Sequence, residues 1–362
     1  SALRPGEDGV ARVGLEPGKT EAVLPAGAAS LLGGGTLEIE GERFTVSIDA
    51  GTLQAAMQGT AGNARLVVGI QTPEDAQVRA WIENGSGPNV RLRQAGPVQT
   101  VTFAVLTESG ETIPLPSGSI LAQLVFTYDE DTLDERLLGA YRYDESTGIW
   151  EFIPGAVDRS RNRVVVSGTD LRNVAILVYD RTFDDVDAGH WVNDALKVLA
   201  AQHLVNGTTE TTFSPARPVT RAEYTAMLVR ALGLRASQSA TFTDVEDGAW
   251  YAESVAAAEA GLIRGREDGS FDPDGAITRE EMAALLVRAL QYLGGEAGEV
   301  GSDNPPPADF RDGDQISGWA LADVARAVEA GLMKGIGGNL FAPRSAVTRA
   351  EAAQALFNLL FR

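Results

Sequence analysis

Two kinds of apolar patterning divide the chain. Up to about residue 180, short runs alternate apolar with polar positions or are rich in β-branched residues. They include Leu37-Glu-Ile-Glu40, Phe44-Thr-Val-Ser-Ile48, Leu66-Val-Val-Gly-Ile70, Val101-Thr-Phe-Ala-Val105 and Leu121-Ala-Gln-Leu-Val-Phe-Thr-Tyr128. Period-two runs bounded by Gly, Pro, Asn and Asp predict strands, and many strands at short intervals predict an antiparallel sandwich. Ala140-Tyr-Arg-Tyr143 and Ile149-Trp-Glu-Phe152 flank Asp144-Glu-Ser-Thr-Gly148 and form a predicted hairpin. Arg163-Val-Val-Val166 and Val174-Ala-Ile-Leu-Val178 follow as further strands, and helix-prone Leu53-Gln-Ala-Ala-Met57 reads as a connection. Beyond residue 180 the period changes to helical, as in Trp250-Tyr-Ala-Glu-Ser-Val-Ala-Ala-Ala-Glu-Ala-Gly-Leu262.

The helical half repeats itself three times. Segments starting at Phe183, Phe242 and Phe310 each carry an early aspartate (Asp185, Asp244, Asp312) and then a tryptophan (Trp191, Trp250, Trp319). An alanine-rich amphipathic run follows, and Gly261 and Gly331 stand where a left-handed helix C-cap is expected, with His203 in that place in the first repeat. The loop then passes Gly207, Gly265 or Gly335 and reaches Phe213-Ser-Pro215, Phe271-Asp-Pro273 or Phe341-Ala-Pro343. A second helix opens Thr220-Arg-Ala-Glu223, Thr278-Arg-Glu-Glu281 and Thr348-Arg-Ala-Glu351. The Trp-to-Thr separations of 29, 28 and 29 residues hold the copies in register. Residues 295–309, with Pro305-Pro-Pro307, read as a linker between the second and third copies.

Thr with Glu three residues on is a capping box. The arginine between them is not explained by capping, because the helix dipole disfavours a cation in the first turn. Arg221, Arg279 and Arg349 break that rule at one place three times. A guanidinium beside the free amides of a helix start suits a carboxylate or phosphate. The alternative is a bridge to an Asp or Glu of a neighbouring repeat, and the sequence leaves both open.

Together these motifs resemble the S-layer homology domain of Gram-positive bacteria, with three tandem copies over about half the chain. The resemblance implies a fold in which the repeats pack around a pseudo-threefold axis. It also implies binding, in grooves between repeats, of a secondary cell-wall polysaccharide linked to peptidoglycan and often pyruvylated. Residue by residue, it assigns Arg221, Arg279 and Arg349 to the ketal carboxylate and Asp185, Asp244 and Asp312 to sugar hydroxyls. Trp191, Trp250 and Trp319 are assigned to stacking on a sugar face, with core packing as the alternative. Gly207, Gly265 and Gly335 belong to the binding loop, together with the basic residue before them, Arg264 or Lys334, which is Asn206 in the first copy. Residues 137 to 180 resemble β-sandwich modules that precede such repeats in surface proteins. The expected fold is therefore an N-terminal all-β sandwich (1–181) and a C-terminal all-α bundle, with repeats at 182–234, 242–291 and 310–362.

Composition narrows the chemistry. There is no cysteine, which excludes disulfides, thiolate metal sites and cysteine nucleophiles, and the two histidines, His190 and His203, leave little room for a catalytic one. The formal charge of −20 makes nucleic acid and anionic membranes poor partners. No run is apolar enough to span a bilayer. Acidic pairs such as Asp129-Glu-Asp131 and Asp184-Asp185 are too abundant to mark a glycosidase and read as solvated loops, and Gly33-Gly-Gly35 reads as a flexible turn. Ser270-Phe-Asp-Pro-Asp-Gly275 with Glu281 has EF-hand spacing, but serine replaces the first aspartate and Glu281 is the capping-box residue, so no metal and no cofactor are expected.

The chain opens Ser1-Ala2 without an initiator methionine and reads as a trimmed fragment, with no sortase-type tail after Arg362. The function expected is non-covalent anchoring of a secreted, extracellular protein on the cell wall, without enzymatic activity. Two alternatives concern what lies upstream: a lattice-forming region that self-assembles, or the catalytic domain of a polysaccharide-degrading enzyme.

Overall fold

The computed structural model describes residues 3–361 apart from 17, 59, 61–62, 117, 129–133 and 295–309. The linker at 295–309 and the acidic Asp129–Asp131 therefore lie outside the described residues. The chain divides into two compact units, residues 1–181 and 182–362.

The first unit opens with β1 (Val10–Gly14), β2 (Glu21–Leu24), α1 (Ala28–Leu31), β3 (Thr36–Glu40), β4 (Phe44–Asp49), α2 (Ala50–Ala56) and β5 (Arg65–Gln71). It continues with α3 (Asp75–Gly85), β6 (Val90–Leu106), β7 (Thr112–Pro114), β8 (Ala122–Thr127) and β9 (Leu138–Asp144). The last strands are β10 (Ile149–Ile153), β11 (Gly155–Asp158), β12 (Arg163–Gly168) and β13 (Leu171–Arg181). One sheet runs β1-β3-β4-β8-β12-β11 and the other β10-β9-β13-β6-β5-β2, with β7 added to β6. Pairing is antiparallel except between β1 and β3. The alternation read from sequence is visible in β8, where Ala122, Leu124 and Phe126 are buried and the residues between them are not. The hairpin forms with Tyr143 opposite Trp150, and its turn is held by Ser146 N donating to the Asp144 carboxylate at 2.8 Å. Helix α3 lies over this hairpin. Its Trp81 stacks on Tyr143 at 4.5 Å, and the Trp150 Nε1 donates to the Trp81 carbonyl at 3.0 Å.

The second unit holds α4 (Asn193–Ala201) and α5 (Arg221–Leu232) of the first repeat, α6 (Ala252–Glu259) and α7 (Arg279–Tyr292) of the second, and α8 (Leu321–Glu329) and α9 (Arg349–Leu360) of the third. All three capping boxes form. Helices pair between copies rather than within them: α5 packs on α6, α7 on α8 and α9 on α4. The repeated phenylalanines pair inside each copy, with ring centroids 5.4, 5.5 and 5.6 Å apart. One continuous apolar core runs from Phe183 to Leu359. Each helix pair alone has too little apolar surface to be stable, so the copies fold as one body.

The expectation of an all-β half followed by an all-α half is corrected. Among the described residues helix and strand are balanced, at 28% and 29%. Among the described residues the first unit contains three α-helices. In the second unit the centre is not helical: three extended segments close a ring of backbone hydrogen bonds, Val219 N to Val347 O (2.9 Å), Ile277 N to Val219 O (3.1 Å) and Val347 N to Ile277 O (2.9 Å). Bridges Pro218–Thr348, Thr220–Ala276 and Thr278–Ala346 flank it. The reason is local: each ring residue is β-branched and lies just before a capping threonine, which itself sits in the β-region. Gly261 also departs from expectation. It does not adopt a positive φ, whereas His203 (φ 53°) and Gly331 (φ 67°) do.

Tyr224 on α5 is fully buried, and its hydroxyl has no hydrogen-bond partner. Burial drives its pKa far above the ordinary phenol value. A buried hydroxyl without a partner is a net cost. Tyr224→Phe is expected to stabilise the protein by about 1 kcal/mol, read as a higher midpoint in urea; an unchanged or lower midpoint would show that the hydroxyl is satisfied in solution.

Candidate functional site

The three arginines link the repeats in a cycle. Arg221 of the first copy donates from Nε to the Phe271 carbonyl (2.8 Å), from Nη1 to Glu281 (2.9 Å) and from Nη2 to the Arg264 carbonyl (3.3 Å), all in the second copy. Arg279 repeats this toward the third copy, on the Phe341 carbonyl (2.7 Å), Glu351 (2.8 Å) and the Lys334 carbonyl (2.6 Å). Arg349 closes the cycle on the Phe213 and Asn206 carbonyls of the first copy, both at 2.9 Å. Each guanidinium also lies over the phenylalanine ring it reaches, 4.6–5.1 Å from the centroid. All three arginines are buried, and burial lowers their pKa values below the ordinary range while the facing glutamate opposes the shift.

The capping glutamates therefore serve two partners. In Glu281 and Glu351 one oxygen accepts from the capping threonine amide at 2.9 Å and the other from the arginine of the preceding copy. The first copy differs. Arg217 occupies the second oxygen of Glu223, and Arg349 stands off at 4.0 Å. The bridge between repeats, one of the two readings open in the sequence, is thus what the arginines make. Beyond these bonds Arg221 and Arg279 each retain two of their five N–H donors, and Arg349 three.

The aspartates have a structural use. Asp185, Asp244 and Asp312 each accept from two consecutive amides of their own Phe-x-Pro loop, at 2.7–2.8 Å. The second amide belongs to a residue with positive φ: Ser214 (59°), Asp272 (61°) or Ala342 (55°). The carboxylate holds a strained turn, a structural use beside the sugar-hydroxyl role that the resemblance implies for it. The loop glycines are needed for close approach. A Cβ on Gly265 or Gly335 would lie 2.5 Å from the ring of Phe242 or Phe310, and one on Gly207 would lie 2.3 Å from the Thr209 carbonyl oxygen. In the EF-hand-like stretch, Asp272 pairs with Arg266 at 2.7 Å and Glu281 is in its capping box.

The tryptophans are not in the core. Trp191, Trp250 and Trp319 are 58%, 68% and 58% exposed. Two grooves show what Trp319 and Trp191 face. One, of about 720 Å³, is lined by Arg221 from the first copy, Arg264 and Gly265 from the second, and Trp319 from the third. The other, of about 580 Å³, takes Arg279 from the second copy, Lys334 and Gly335 from the third, and Trp191 from the first. Each groove thus needs all three copies. The motif residues of one repeat, such as Asp244, Trp250, Gly265 and Arg279, do not form one site. Reading a repeat as its own site misses this, because the partner of each motif lies one or two copies away.

Sequence reasoning also missed Arg266, Arg288 and Arg326, which line the first groove. The register held a signal for one of them. Arg230, Arg288 and Asn358 are equivalent positions, and each donates to the carbonyl of Leu204, Leu262 or Leu332.

Among known proteins, the S-layer homology domain family matches residues 182–225, 241–283 and 309–353. An amylopullulanase of Thermoanaerobacterium thermosulfurigenes is 35% identical over 338 residues, 89% of this chain and 17% of that protein. The exoglucanase XynX of Acetivibrio thermocellus is 34% identical over 267 residues, 70% of this chain and 23% of that protein. The S-layer protein sap of Bacillus anthracis is 35% identical over 177 residues, 48% of this chain and 20% of that protein. This chain therefore spans about a fifth of the length of these relatives. S-layer homology domains are non-catalytic modules that bind cell-wall polymers and anchor proteins to the wall. With a match on each of its three repeats, the second unit of this chain carries three S-layer homology domains, the anchoring modules of extracellular proteins attached to the cell wall.

Proposed function

We propose that the second unit binds a secondary cell-wall polysaccharide in the grooves between its repeats and so holds a larger protein on the wall without a covalent bond. The observation that carries this reading is the pairing of an exposed tryptophan from one copy with a cationic side chain from another: Trp319 with Arg264, and Trp191 with Lys334. An indole offers a flat apolar face to a sugar ring, and the cation meets an acid group on it. A pyruvate ketal on the sugar supplies such an acid group. At the equivalent place beside Arg349, Asn206 stands where the other copies carry Arg264 and Lys334, so the cation is missing there. Among the described residues no helix is long and apolar enough to cross a membrane.

The cargo we propose is a polysaccharide-degrading enzyme rather than a lattice protein. The amylopullulanase matches 89% of this chain, including the first unit, whereas the S-layer protein sap matches 48%. The chain itself acts as the non-catalytic anchor and spacer of that enzyme.

Cosedimentation with purified bacterial cell walls tests the anchor. Binding is expected to disappear once acid has stripped the wall polysaccharide. Trp191→Ala and Trp319→Ala are each expected to weaken it about tenfold without loss of stability, because both side chains are exposed. Equal binding to intact and stripped walls would overturn the polysaccharide reading and point to peptidoglycan.

A further inference from the structure

The groove of the second repeat holds more positive charge than its architecture requires. Besides Arg221, it is lined by Arg264, Arg266, Arg288 and Arg326, in a chain whose net charge is −20. Two of these five are neutralised: Arg221 by Glu281, and Arg266 by Asp272 and Glu281. The other three make no ion pair with any described residue. Arg264 makes no side-chain hydrogen bond to the described protein. Arg288 uses one N–H on the Leu262 carbonyl. Arg326 has a buried Nε with no partner. Thr225, 1% exposed and lining the same groove, also has an unpartnered hydroxyl.

Gathering unpaired guanidiniums in a half-buried groove is unfavourable unless an anion offsets it. Burial, and then the charge of Arg264, lowers the pKa of Arg288, so the cations are close enough to repel one another. Asp323 is the carboxylate set among the three, and burial raises its pKa against their pull. Glu267 also lines the groove. The fold does not demand this cluster. In the register of the other groove, Arg288 is replaced by Asn358 and Arg326 by Val198, and both copies fold alike.

We infer that Arg288 and Arg326 form a second anion subsite in this groove, beside the one at Arg264 and Trp319, and that it takes the acid group of an adjoining sugar in the same polysaccharide. The inference rests on the anchor reading above and specifies its ligand: the second-repeat groove selects a glycan with acid groups on successive units, while the Lys334 groove takes one. The acid is a carboxylate or a phosphate, since a guanidinium receives either in a paired contact.

Calorimetry on the full chain tests it with two pairs of probes, galacturonate against digalacturonate, and glycerol phosphate against its two-phosphate oligomer. The wild type is expected to bind the two-acid member of at least one pair at least tenfold more tightly than the one-acid member. The pair that shows the preference identifies the acid. Arg288→Gln with Arg326→Gln is expected to bring that preference close to one. If the double variant fails to fold, Arg326→Gln alone suffices, because its guanidinium makes no hydrogen bond to the described protein. No preference in the wild type for either pair, or a preference retained in the folded variant, would overturn the subsite. Wall cosedimentation separates this failure from that of the anchor: a wild type that sediments with walls but shows no two-acid preference loses only the second subsite.

Discussion

Arg279→Ala is expected to destabilise the repeat unit by about 3 kcal/mol. The side chain is 5% exposed and joins the second copy to the third through two backbone carbonyls, Glu351 and the ring of Phe341. Removing it leaves those carbonyls buried without their donor and Glu351 without its cation. The helix start itself survives, because Thr278 and Glu281 still cap it. What weakens is the closure between copies, so the loss appears as a lower urea midpoint rather than as lost helix in the native baseline. Arg279→Lys should recover only part of the loss, since an ammonium cannot donate to three acceptors in the plane of a guanidinium. Arg349→Ala should cost less than Arg279→Ala, because its glutamate stands at 4.0 Å and is already held by Arg217. A folded Arg279→Ala protein with an unchanged midpoint would show that the cycle adds nothing to stability.

Asp312→Ala should have an effect of similar size, about 3 kcal/mol or more. Its carboxylate accepts from Phe341 N at 2.8 Å and Ala342 N at 2.7 Å, and it is 6% exposed. Charge-assisted hydrogen bonds contribute roughly 1.5–3 kcal/mol each. Ala342 sits at φ +55° because the aspartate holds it there. Asp185→Ala removes the same pair of bonds at a solvent-exposed position, where water replaces them, so its cost should be distinctly smaller. Thermal melts of the two variants side by side check this. Equal losses would mean that burial does not set the value of the staple.

Much of the fold was legible because it is written in local chemistry. Period-two runs predicted β4, β5, β8, β12 and β13, and Gly148 with Asp144 marked the β9–β10 turn. The capping boxes at Thr220, Thr278 and Thr348 depend only on residues three apart, so the starts of α5, α7 and α9 followed from sequence. The helix α3 was missed although its signal was present: Pro73-Glu-Asp75 opens it, and Val78, Trp81 and Ile82 follow at helical spacing. In the repeats, the extended ring at Val219, Ile277 and Val347 left no periodic signal, because one residue per copy takes part and its partners are about 60 or more residues away.

The candidate site divides along the same line. The sequence by itself determined that there are three copies, which residues recur in them, and that an arginine stands where the helix dipole disfavours it. Those are properties of spacing and local electrostatics, which a chain carries before it folds. Only the tertiary structure decided what the recurring residues do. It turned the arginines toward the next copy and the aspartates toward their own loops. It left the tryptophans exposed, and set two of them, Trp191 and Trp319, in a groove with a cation from another repeat. The physical reason is the closure of three copies into one body, which makes every groove a joint product of segments from different repeats.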